Sequence, residues 1–289
     1  MNDRTYDRKA EDLGNIVFLE HVNLSHDNQQ QATVFYVVGL GLTRDPFMMV
    51  GLENMWVNAG RSQFHLPTRG KQVLRGRVGV VIPDLHAAAK RLERIAGPLS
   101  GTAFSFALGN GFIDATCPWG NRFRLHAPAP EFGSTTLGIP YVQFDVPRGA
   151  APGIARFYQE LVDAPAMVET REGAPAAVAI AGRSQRLVYR ETDTELPPYD
   201  GHHVQIYVAD FSGPHAKLRE RGLVFEESDQ YQYRFKDLVD LNSGKVLFTI
   251  EHEVRSVTHP LYGRALINRN PQQTNLAYLR NGDFYAGTF

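Results

Sequence analysis

The feature that most constrains this chain of 289 residues is an internal repeat, in which three landmarks recur at nearly constant spacing. An aromatic pair on a predicted helix begins at Phe35 and again at Phe157, 122 residues later. A strand that ends at an aspartate before a helix occurs at Asp84 and at Asp210, 126 residues apart. A glycine turn into a final strand recurs after 124 residues, from "PWGNRFRL" to "NSGKVLFT". This period indicates two similar halves, and the length agrees with two domains.

Each half divides again into two units of the same design. In the first unit, "FLEHVNLS" alternates as a strand does, and "DNQQQATVFYVVGLG" predicts a helix with Asp27 as its N-cap and a glycine at its end. Three short strands are predicted next, over "DPFMMVG", "NMWVNAG" and "SQFHLPT". The second unit repeats this order, and its helix has one apolar face, formed by Leu85, Ala88, Ala89, Leu92 and Ile95. The pattern predicts an α+β fold of four βαβββ modules that form two tandem domains.

The boundary between the halves is a linker rich in proline, glycine, serine and threonine, "APAPEFGSTTLG". We expect one domain of two paired modules over residues 16–127 and a second over residues 138–254. The polar stretch before Ile16 is expected to fray. The tail over residues 255–289 has no clear period but contains several aromatic residues, so we expect it to dock on the core.

The composition excludes several classes of protein. With 30 basic and 31 acidic residues the net charge is -1, which implies no basic face for nucleic acid. No run reaches the roughly 18 apolar residues of a membrane-spanning helix. The single cysteine, Cys117, lies between apolar residues and a turn, where a small core residue is expected, and one cysteine cannot form a disulfide within the chain. We therefore expect a cytoplasmic protein without nucleic-acid or membrane partners.

The repeated modules resemble the vicinal oxygen chelate superfamily, which includes glyoxalase I, type I extradiol dioxygenases and bleomycin-resistance proteins. The resemblance rests on the helices "FYVVGLGL" and "FYQELV", the turns "IPDL" and "VADF" and the strand "GNRFRL", and it extends over residues 16–252. It implies that paired modules form a U-shaped trough that holds a divalent metal, with ligands from the first and last strands. Four modules are most similar to the two-domain extradiol dioxygenases, whose metal lies in the C-terminal half. Fe(II) is the expected metal, with Mn, Zn or Ni as alternatives.

The resemblance places the main metal site in the C-terminal half. His203 stands at the head of a first strand, where the family has a ligand, and Glu251 could reach the trough from the last strand through a bulge. Tyr141 stands where a dioxygenase has its first histidine, and tyrosine is a poorer Fe(II) ligand than imidazole. Gln143 shares the face of Tyr141 and could supply an amide oxygen or contact the substrate. His203 could instead be a plain surface or hydrogen-bonding residue, and Glu251 could belong to a solvated strand end.

Two further histidines of the C-terminal half are candidates for proton transfer, because imidazole titrates near neutral pH. They are His202 and, if Glu251 is the ligand, His252. Tyr207 is expected to offer a stacking surface to a substrate.

The N-terminal half contains a second set of candidates. His21 heads the first strand and His65 lies on a last strand, so the two could form a weaker alternative metal site. Arg77 and Arg124 occupy the matching positions of the second module. Arginines would repel a cation and bind an anionic substrate such as a carboxylate through paired hydrogen bonds, unless both are solvated surface residues.

The sequence thus favours a metal-dependent enzyme that acts on a small oxygenated molecule, similar to an extradiol dioxygenase or to a glyoxalase-like isomerase or lyase. The alternative is a metal-free protein that binds a small molecule, as resistance proteins do, with stacking by Trp56, Tyr141, Phe144 and Tyr207. The incomplete set of histidine ligands favours this alternative. A homodimer is expected from the resemblance alone.

Overall fold

The computed structural model describes residues 6–48, 53–270 and 273–278. Within them the chain forms four modules, each with a strand, a helix and three further strands, so the predicted α+β fold of βαβββ modules is confirmed. The first two modules contain the strands β1 Ile16–Asn23, β2 Thr43–Arg44, β3 Asn54–Ala59, β4 Ser62–Pro67, β5 Gly76–Val81, β6 Ser105–Leu108, β7 Phe112–Thr116 and β8 Arg122–His126. The last two contain β9 Gly138–Pro147, β10 Ala166–Arg171, β11 Ala174–Ala181, β12 Gln185–Thr192, β13 His203–Val208, β14 Val224–Asp229, β15 Gln232–Val239 and β16 Val246–Ser256. The strand predicted over "DPFMMVG" is wrong for residues 45–48, which form no strand, because β2 lies just before them. Its remaining residues 49–51 fall outside the described residues.

One helix follows the first strand of each module. They are α1 Gln29–Ala32, continued by a π-helical segment Thr33–Gly39, then α2 Leu85–Ile95, α3 Ala151–Leu161 and α4 Ser212–Glu220. No helix in the described part of the chain is both long enough and apolar enough to span a bilayer.

The N-cap of α1 differs from the prediction. The side chain of Asn28, not Asp27, accepts a hydrogen bond from the Gln31 N–H at 3.0 Å. Asp27 instead accepts a hydrogen bond from Trp119 Nε1 at 2.6 Å. Both residues can cap a helix, and the tertiary contact with Trp119 decides between them.

The sixteen strands form two eight-stranded sheets, and each sheet takes one module from each half of the chain. The first sheet has the order β14-β15-β16-β13-β1-β4-β3-β2, and the second has β10-β11-β12-β9-β5-β8-β7-β6. The first module therefore pairs with the fourth through β1 and β13, and the second with the third through β5 and β9, both antiparallel. This differs from the expectation that the two modules of one half would pair with each other. Local sequence patterns define each module but not the partner of its first strand.

The core lies between the sheets and the helices. Along β1, Leu19 and Val22 are fully buried in the core, while His21 and Asn23 project to the opposite face. In α2 the predicted face is buried from Ala88 to Ile95, and Leu85 packs against it half-buried. Cys117 is buried in the same core, as predicted.

Candidate metal centre

Three histidines converge on the face of the first sheet that points away from the core. His21 comes from β1, His65 from β4 and His203 from β13, and one ring nitrogen of each lies within 4.8 Å of the other two. These strands are neighbours in the sheet, and each histidine alternates with core residues such as Val22 and Val204. Strand alternation therefore delivers all three imidazoles to one point. We call this cluster the histidine site.

His21 is held by a carboxylate next to it in sequence. A register shift between Leu19 and His21 in the pairing of β1 with β13 brings Glu20 Oε2 to 3.1 Å from His21 Nδ1. Glu20 in turn accepts hydrogen bonds from Arg255 Nη1 at 3.2 Å and from the Tyr207 hydroxyl at 3.3 Å. With Nδ1–H donating to Glu20, the lone pair of His21 Nε2 points into the site, and this buried nitrogen has no hydrogen-bond partner among the described residues. Metal-binding histidines are commonly oriented in this way.

The charge of Glu20 is preserved in this environment. Burial alone would raise the pKa of Glu20, but its hydrogen bond to His21 and the positive charge of Arg255 lower the pKa below its usual value. An ionised Glu20 is the form that fixes the tautomer of His21.

His65 is oriented by two neighbours. Its ring stacks on Trp56 at a centroid distance of 3.9 Å, and its Nε2 bonds to the Asn54 side-chain oxygen. Burial, followed by the charges of His21 and Arg69, lowers the pKa of His65 to about 2. The neutral imidazole is the form that binds a metal ion.

His203 lies between two carboxylates of β16. Its Nδ1 is 3.5 Å from Glu251 Oε1, and its Nε2 is 3.6 Å from Glu253 Oε2. Arg234 forms ion pairs with both glutamates. Burial, with the charges of His21 and Arg234, lowers the pKa of His203 well below its usual value, so this imidazole is also neutral.

The strand register identifies the carboxylate that corresponds to His65. In the first module Asn23 pairs with His65, and in the fourth module Gln205 pairs with Glu253. His203 is the first residue of β13, but His21 is the sixth residue of β1, so its predicted place at the head of the strand is wrong. Asn23 and Gln205 each lie two residues beyond the histidine of their strand, so Glu253 occupies the position of His65. Glu251, which pairs with His203, occupies the position of Gln63. Glu251 as the ligand stays a prediction, with Glu253 as its structurally equivalent competitor.

Unsatisfied polar atoms indicate that the site is built for a bound group. Both side-chain amide atoms of Gln205 are buried without a hydrogen-bond partner, and Gln205 pairs with His21 across the seam of the two modules. The Nε2 atom of His203 is likewise buried and has no hydrogen-bond partner among the described residues, with Glu253 Oε2 at the longer distance of 3.6 Å. Buried polar groups that lack partners carry a free-energy cost, which a metal ion or its water would remove. The donors of this site therefore fit a metal.

Two histidines predicted to transfer protons lie outside the histidine site. His202 is fully buried and bonds to Asp200 through Nδ1 at 2.6 Å. His252 is on the core side of β16, where its ring stacks on Phe235 at 4.4 Å and bonds to the Tyr158 hydroxyl. Strand alternation explains this position, because His252 lies between Glu251 and Glu253, which face the histidine site.

The remaining predicted site residues divide between the two sheets. Tyr207 lies on the first sheet, where its hydroxyl donates to Glu20. Tyr141, Gln143, Arg77 and Arg124 line a cavity on the second sheet. The structure therefore separates Tyr141 from His203, although the two align in sequence.

The segment after β16 covers part of the first sheet. Arg264 donates to Asp45 Oδ2 at 2.9 Å, and Asn58 donates to the carbonyl oxygen of Ile267 at 2.8 Å. Asn268 bonds to the backbone of Gly60 in the β3–β4 turn. The described part of the tail thus packs on the first module, although 209 residues separate Asn58 from Ile267.

Three residues of the site were not predicted from the sequence. Glu253 and Gln205 could have been found from strand alternation, since each lies two residues from a predicted residue, Glu251 and His203, on the same face. The support of His21 by Glu20 depends on a register shift that the sequence does not signal.

The fold is similar to that of several solved structures. No protein-family model matches the sequence, and no curated protein sequence matches it. Glyoxalase I from Zea mays aligns with a TM-score of 0.57 and 13% identity, over 82% of this chain and 92% of that chain. A candidate dioxygenase from Bacillus subtilis subsp. subtilis str. 168 aligns with a TM-score of 0.54 and 13% identity, over 84% of this chain and 86% of that chain. The resemblance to the vicinal oxygen chelate superfamily is thus confirmed for the fold, and identities this low show nothing beyond it.

Proposed function

We propose that this chain, which has the vicinal oxygen chelate fold, is a metal-dependent enzyme that acts on a small molecule with two neighbouring oxygen atoms. The observation that carries the proposal is the convergence of His21, His65 and His203, whose ring nitrogens lie within 4.8 Å of one another. His21 and His203 are buried and His65 is half-buried, and grouping three imidazoles away from water is costly unless they bind a ligand.

The donor set favours a first-row transition metal. Imidazole suits iron, nickel and zinc, whereas magnesium and calcium prefer oxygen ligands. His21, His65 and His203 would hold the ion, with Glu253 as the fourth ligand by its equivalence to His65. When bound, the metal supplies Lewis-acid stabilisation of negative charge on the substrate oxygens. Fe(II) remains the predicted metal.

The protein's own residues would orient the substrate and move a proton. Gln205 offers a buried amide, whose Nε2 could donate to a substrate oxygen and whose Oε1 could accept from a substrate hydroxyl. Burial raises the pKa of Glu251 above its usual value despite the nearby charge of Arg234. A carboxylate with a raised pKa beside the site is suited to take up and return a proton. Its Oε1 atom lies 3.5 Å from His203 Nδ1 and accepts from Arg234 Nη1, so Oε2 is the atom that would carry the proton. Glu251 would thus serve in proton transfer, the role first expected of His202 or His252.

Two reaction classes are supported by different observations. The carboxylate with a raised pKa favours a glyoxalase-like proton transfer, because isomerases and lyases need a general base. The combination of two histidines with one carboxylate, which His21, His203 and Glu253 can provide, favours an oxygen-dependent dioxygenase with Fe(II). Oxygen uptake with catechols and isomerisation of hemithioacetals, measured on the metal-loaded protein, separate the two classes.

Elemental analysis by mass spectrometry tests the metal centre itself. Protein purified without chelator is compared with the variants His203→Ala and His215→Ala. His215 is a matched control, because it lies on α4 and bonds to Glu227, away from the cluster. About one metal ion per chain is expected in the native protein and the control, and less than about a tenth of that in His203→Ala. Native protein that stays metal-free after anaerobic loading with Fe(II) would refute the enzyme proposed here and favour a protein that binds a small molecule without metal.

A further inference from the structure

The second sheet has a cavity of about 380 Å³ on the face that corresponds to the histidine site. Four arginines line it, together with two glutamates. The arginines are Arg77 on β5, Arg124 on β8, Arg171 on β10 and Arg186 on β12. We call this cavity the arginine cavity.

A carboxylate of the protein already lies between two of these arginines. Glu172 Oε1 forms ion pairs with Arg77 and with Arg124, the second at 2.8 Å. The guanidinium group of Arg124 is held in place by Asp114, to which its Nε donates at 2.7 Å and its Nη2 at 2.8 Å. Its Nη1 is thereby directed at Glu172. Two guanidinium groups that share one carboxylate oxygen form a site for a carboxylate group.

The backbone at Glu172 supports a role for this side chain. Glu172 and Gly173 form the two-residue turn between β10 and β11, with φ values of 49° and 79°. Such turns favour asparagine, aspartate or glycine, because other residues are strained at positive φ. Glu172 thus occupies a backbone position that is unfavourable for glutamate, and its carboxylate reaches Arg77 and Arg124.

Two arginines of the cavity have N–H donors that are not used in ion pairs or hydrogen bonds within the described residues. Arg186 has no acidic partner within hydrogen-bond distance among the described residues, and its one hydrogen bond goes to the neighbouring Gln185 carbonyl oxygen. The buried Nε of Arg77 also lacks a partner. Half-buried guanidinium groups with free donors attract anions, because the cavity wall screens their charge less than water does.

One wall of the cavity is apolar. Phe132, Pro140 and Val188 contribute to the lining, and Tyr141 donates or accepts a hydrogen bond at His126 Nε2 at 2.9 Å. The volume is in the range of small-molecule sites. A ligand with an acidic group and a flat apolar body would satisfy both walls.

From these contacts we propose that the arginine cavity is a second ligand site, separate from the histidine site, which binds a small organic carboxylate. The ligand carboxylate takes the place of the Glu172 carboxylate between Arg77 and Arg124, and Arg186 binds its second oxygen or a further polar group. The Glu172 side chain is 42% exposed, so it can turn out toward solvent when the ligand enters.

Isothermal titration with benzoate and with inorganic phosphate tests the proposal on the full chain. Benzoate is expected to bind saturably at one site per chain. Arg186→Gln and Arg77→Gln should each weaken benzoate binding about tenfold or more, since each removes a charge-assisted hydrogen bond. Arg186 makes no ion pair in the described structure, so its variant is expected to fold even if Arg77→Gln does not. Arg148→Gln is the matched control, because Arg148 pairs with Asp193 on the exposed surface away from the cavity.

Glu172→Ala gives the sharpest outcome, because the two interpretations of Glu172 predict opposite results. If Glu172 occupies a ligand site, its removal frees both arginines and strengthens benzoate binding about tenfold. If the network of Glu172 and the arginines is only structural, Glu172→Ala loses thermal stability, and benzoate binds neither the native protein nor the variant. That result overturns the proposal, as does phosphate binding at least tenfold tighter than benzoate. The titration is repeated on His203→Ala, where unchanged benzoate affinity confirms that the two sites are separate.

Discussion

The two sheets have the same topology but carry opposite chemistry on equivalent faces. Strand register matches each position of the histidine site with one position on the second sheet. The matched pairs are His21 with Arg77, His65 with Arg124, His203 with Tyr141 and Glu253 with Val188. All four potential ligands of the first sheet are thus replaced by residues that bind a divalent cation poorly or repel it. A fold that repeats its modules can therefore hold two sites that differ only in side chains.

The difference also extends to the surroundings of each site. On the first sheet the buried residues of the site are His21, His203, Gln205 and Glu253. The tail covers the outer strands of this sheet through Arg264 and Asn268. On the second sheet the arginine cavity is open to solvent, and its charges are balanced in part by Glu172. Burial favours neutral imidazoles, which can bind a metal. A solvated opening allows arginines to stay charged, so that they can bind an anion.

The largest expected effect is that variants of the first sheet lose only metal binding, whereas a variant of the second sheet loses only benzoate binding. His21→Ala or His65→Ala should lower metal affinity more than about 100-fold while leaving benzoate affinity unchanged, because each removes one direct ligand. Arg77→Gln should weaken benzoate binding about tenfold or more and leave metal affinity unchanged. Metal content by mass spectrometry and benzoate titration, measured on the same four proteins including the native chain, test this. A folded variant that loses both metal binding and benzoate binding would show that the two sites are coupled.

The next effect in size distinguishes the two carboxylates of β16. Glu253→Gln should weaken metal binding by about 10–100-fold, because Glu253 stands at the position of His65. Glu251→Gln should change metal affinity less and reduce turnover instead, because we assign Glu251 to proton transfer. The paired variants serve as each other's control, since both keep the side-chain volume and both remove a partner of Arg234. Loss of metal in Glu251→Gln alone would assign the ligand role to Glu251.

Much of this comparison could be predicted from the sequence, and the reasons for the rest are physical. The alternation of "HVNLS", "RVGVV", "YVQFD" and "HVQIY" correctly aligned His21, Arg77, Tyr141 and His203 as equivalent positions. The sequence could not show that the first module shares a sheet with the fourth, because pairing of β1 with β13 is a contact across 180 residues or more. As a result His203 and the pair His21 and His65 were predicted as alternative metal sites, whereas they form one cluster.

A smaller effect is expected where the tail covers the first sheet. Asp45 is fully buried and pairs with Arg264, so Arg264→Gln should destabilise the fold by about 1–3 kcal/mol. Burial alone would raise the pKa of Asp45, but hydrogen bonds from Arg264 and from the Phe47 and Met48 N–H groups lower it. The stabilisation is therefore complete at neutral pH and is lost as the pH falls through the lowered pKa of the folded state.

Denaturant unfolding at pH 7 and at pH 3 measures this effect. The difference in unfolding free energy between native protein and Arg264→Gln should be larger at pH 7. Arg148→Gln, which removes an exposed partner of Asp193, should not change stability measurably. Equal stability of Arg264→Gln and native protein at pH 7 would mean that the tail contact contributes nothing to the first sheet, and the two sheets would then not differ in their covering.

The smallest expected effect is a pKa shift inside the arginine cavity. Burial, and then the charges of Arg124 and Arg77, lower the pKa of His126 to about 4, while Asp114 acts in the opposite direction. The folded state therefore keeps His126 neutral, and the part of the stability that depends on it is lost as the pH falls from about 6.5, the value in an unfolded chain, to about 4. In the Glu172→Ala variant no carboxylate of residue 172 offsets Arg77 and Arg124, so bound benzoate should raise the pKa of His126 there by up to about one unit. Titration of histidine ring protons by NMR, with and without benzoate, measures the shift, and His215 on α4 should not respond. An unchanged His126 in this variant in the presence of saturating benzoate would place the bound anion outside the cavity and remove the proposed contrast between the two sheets.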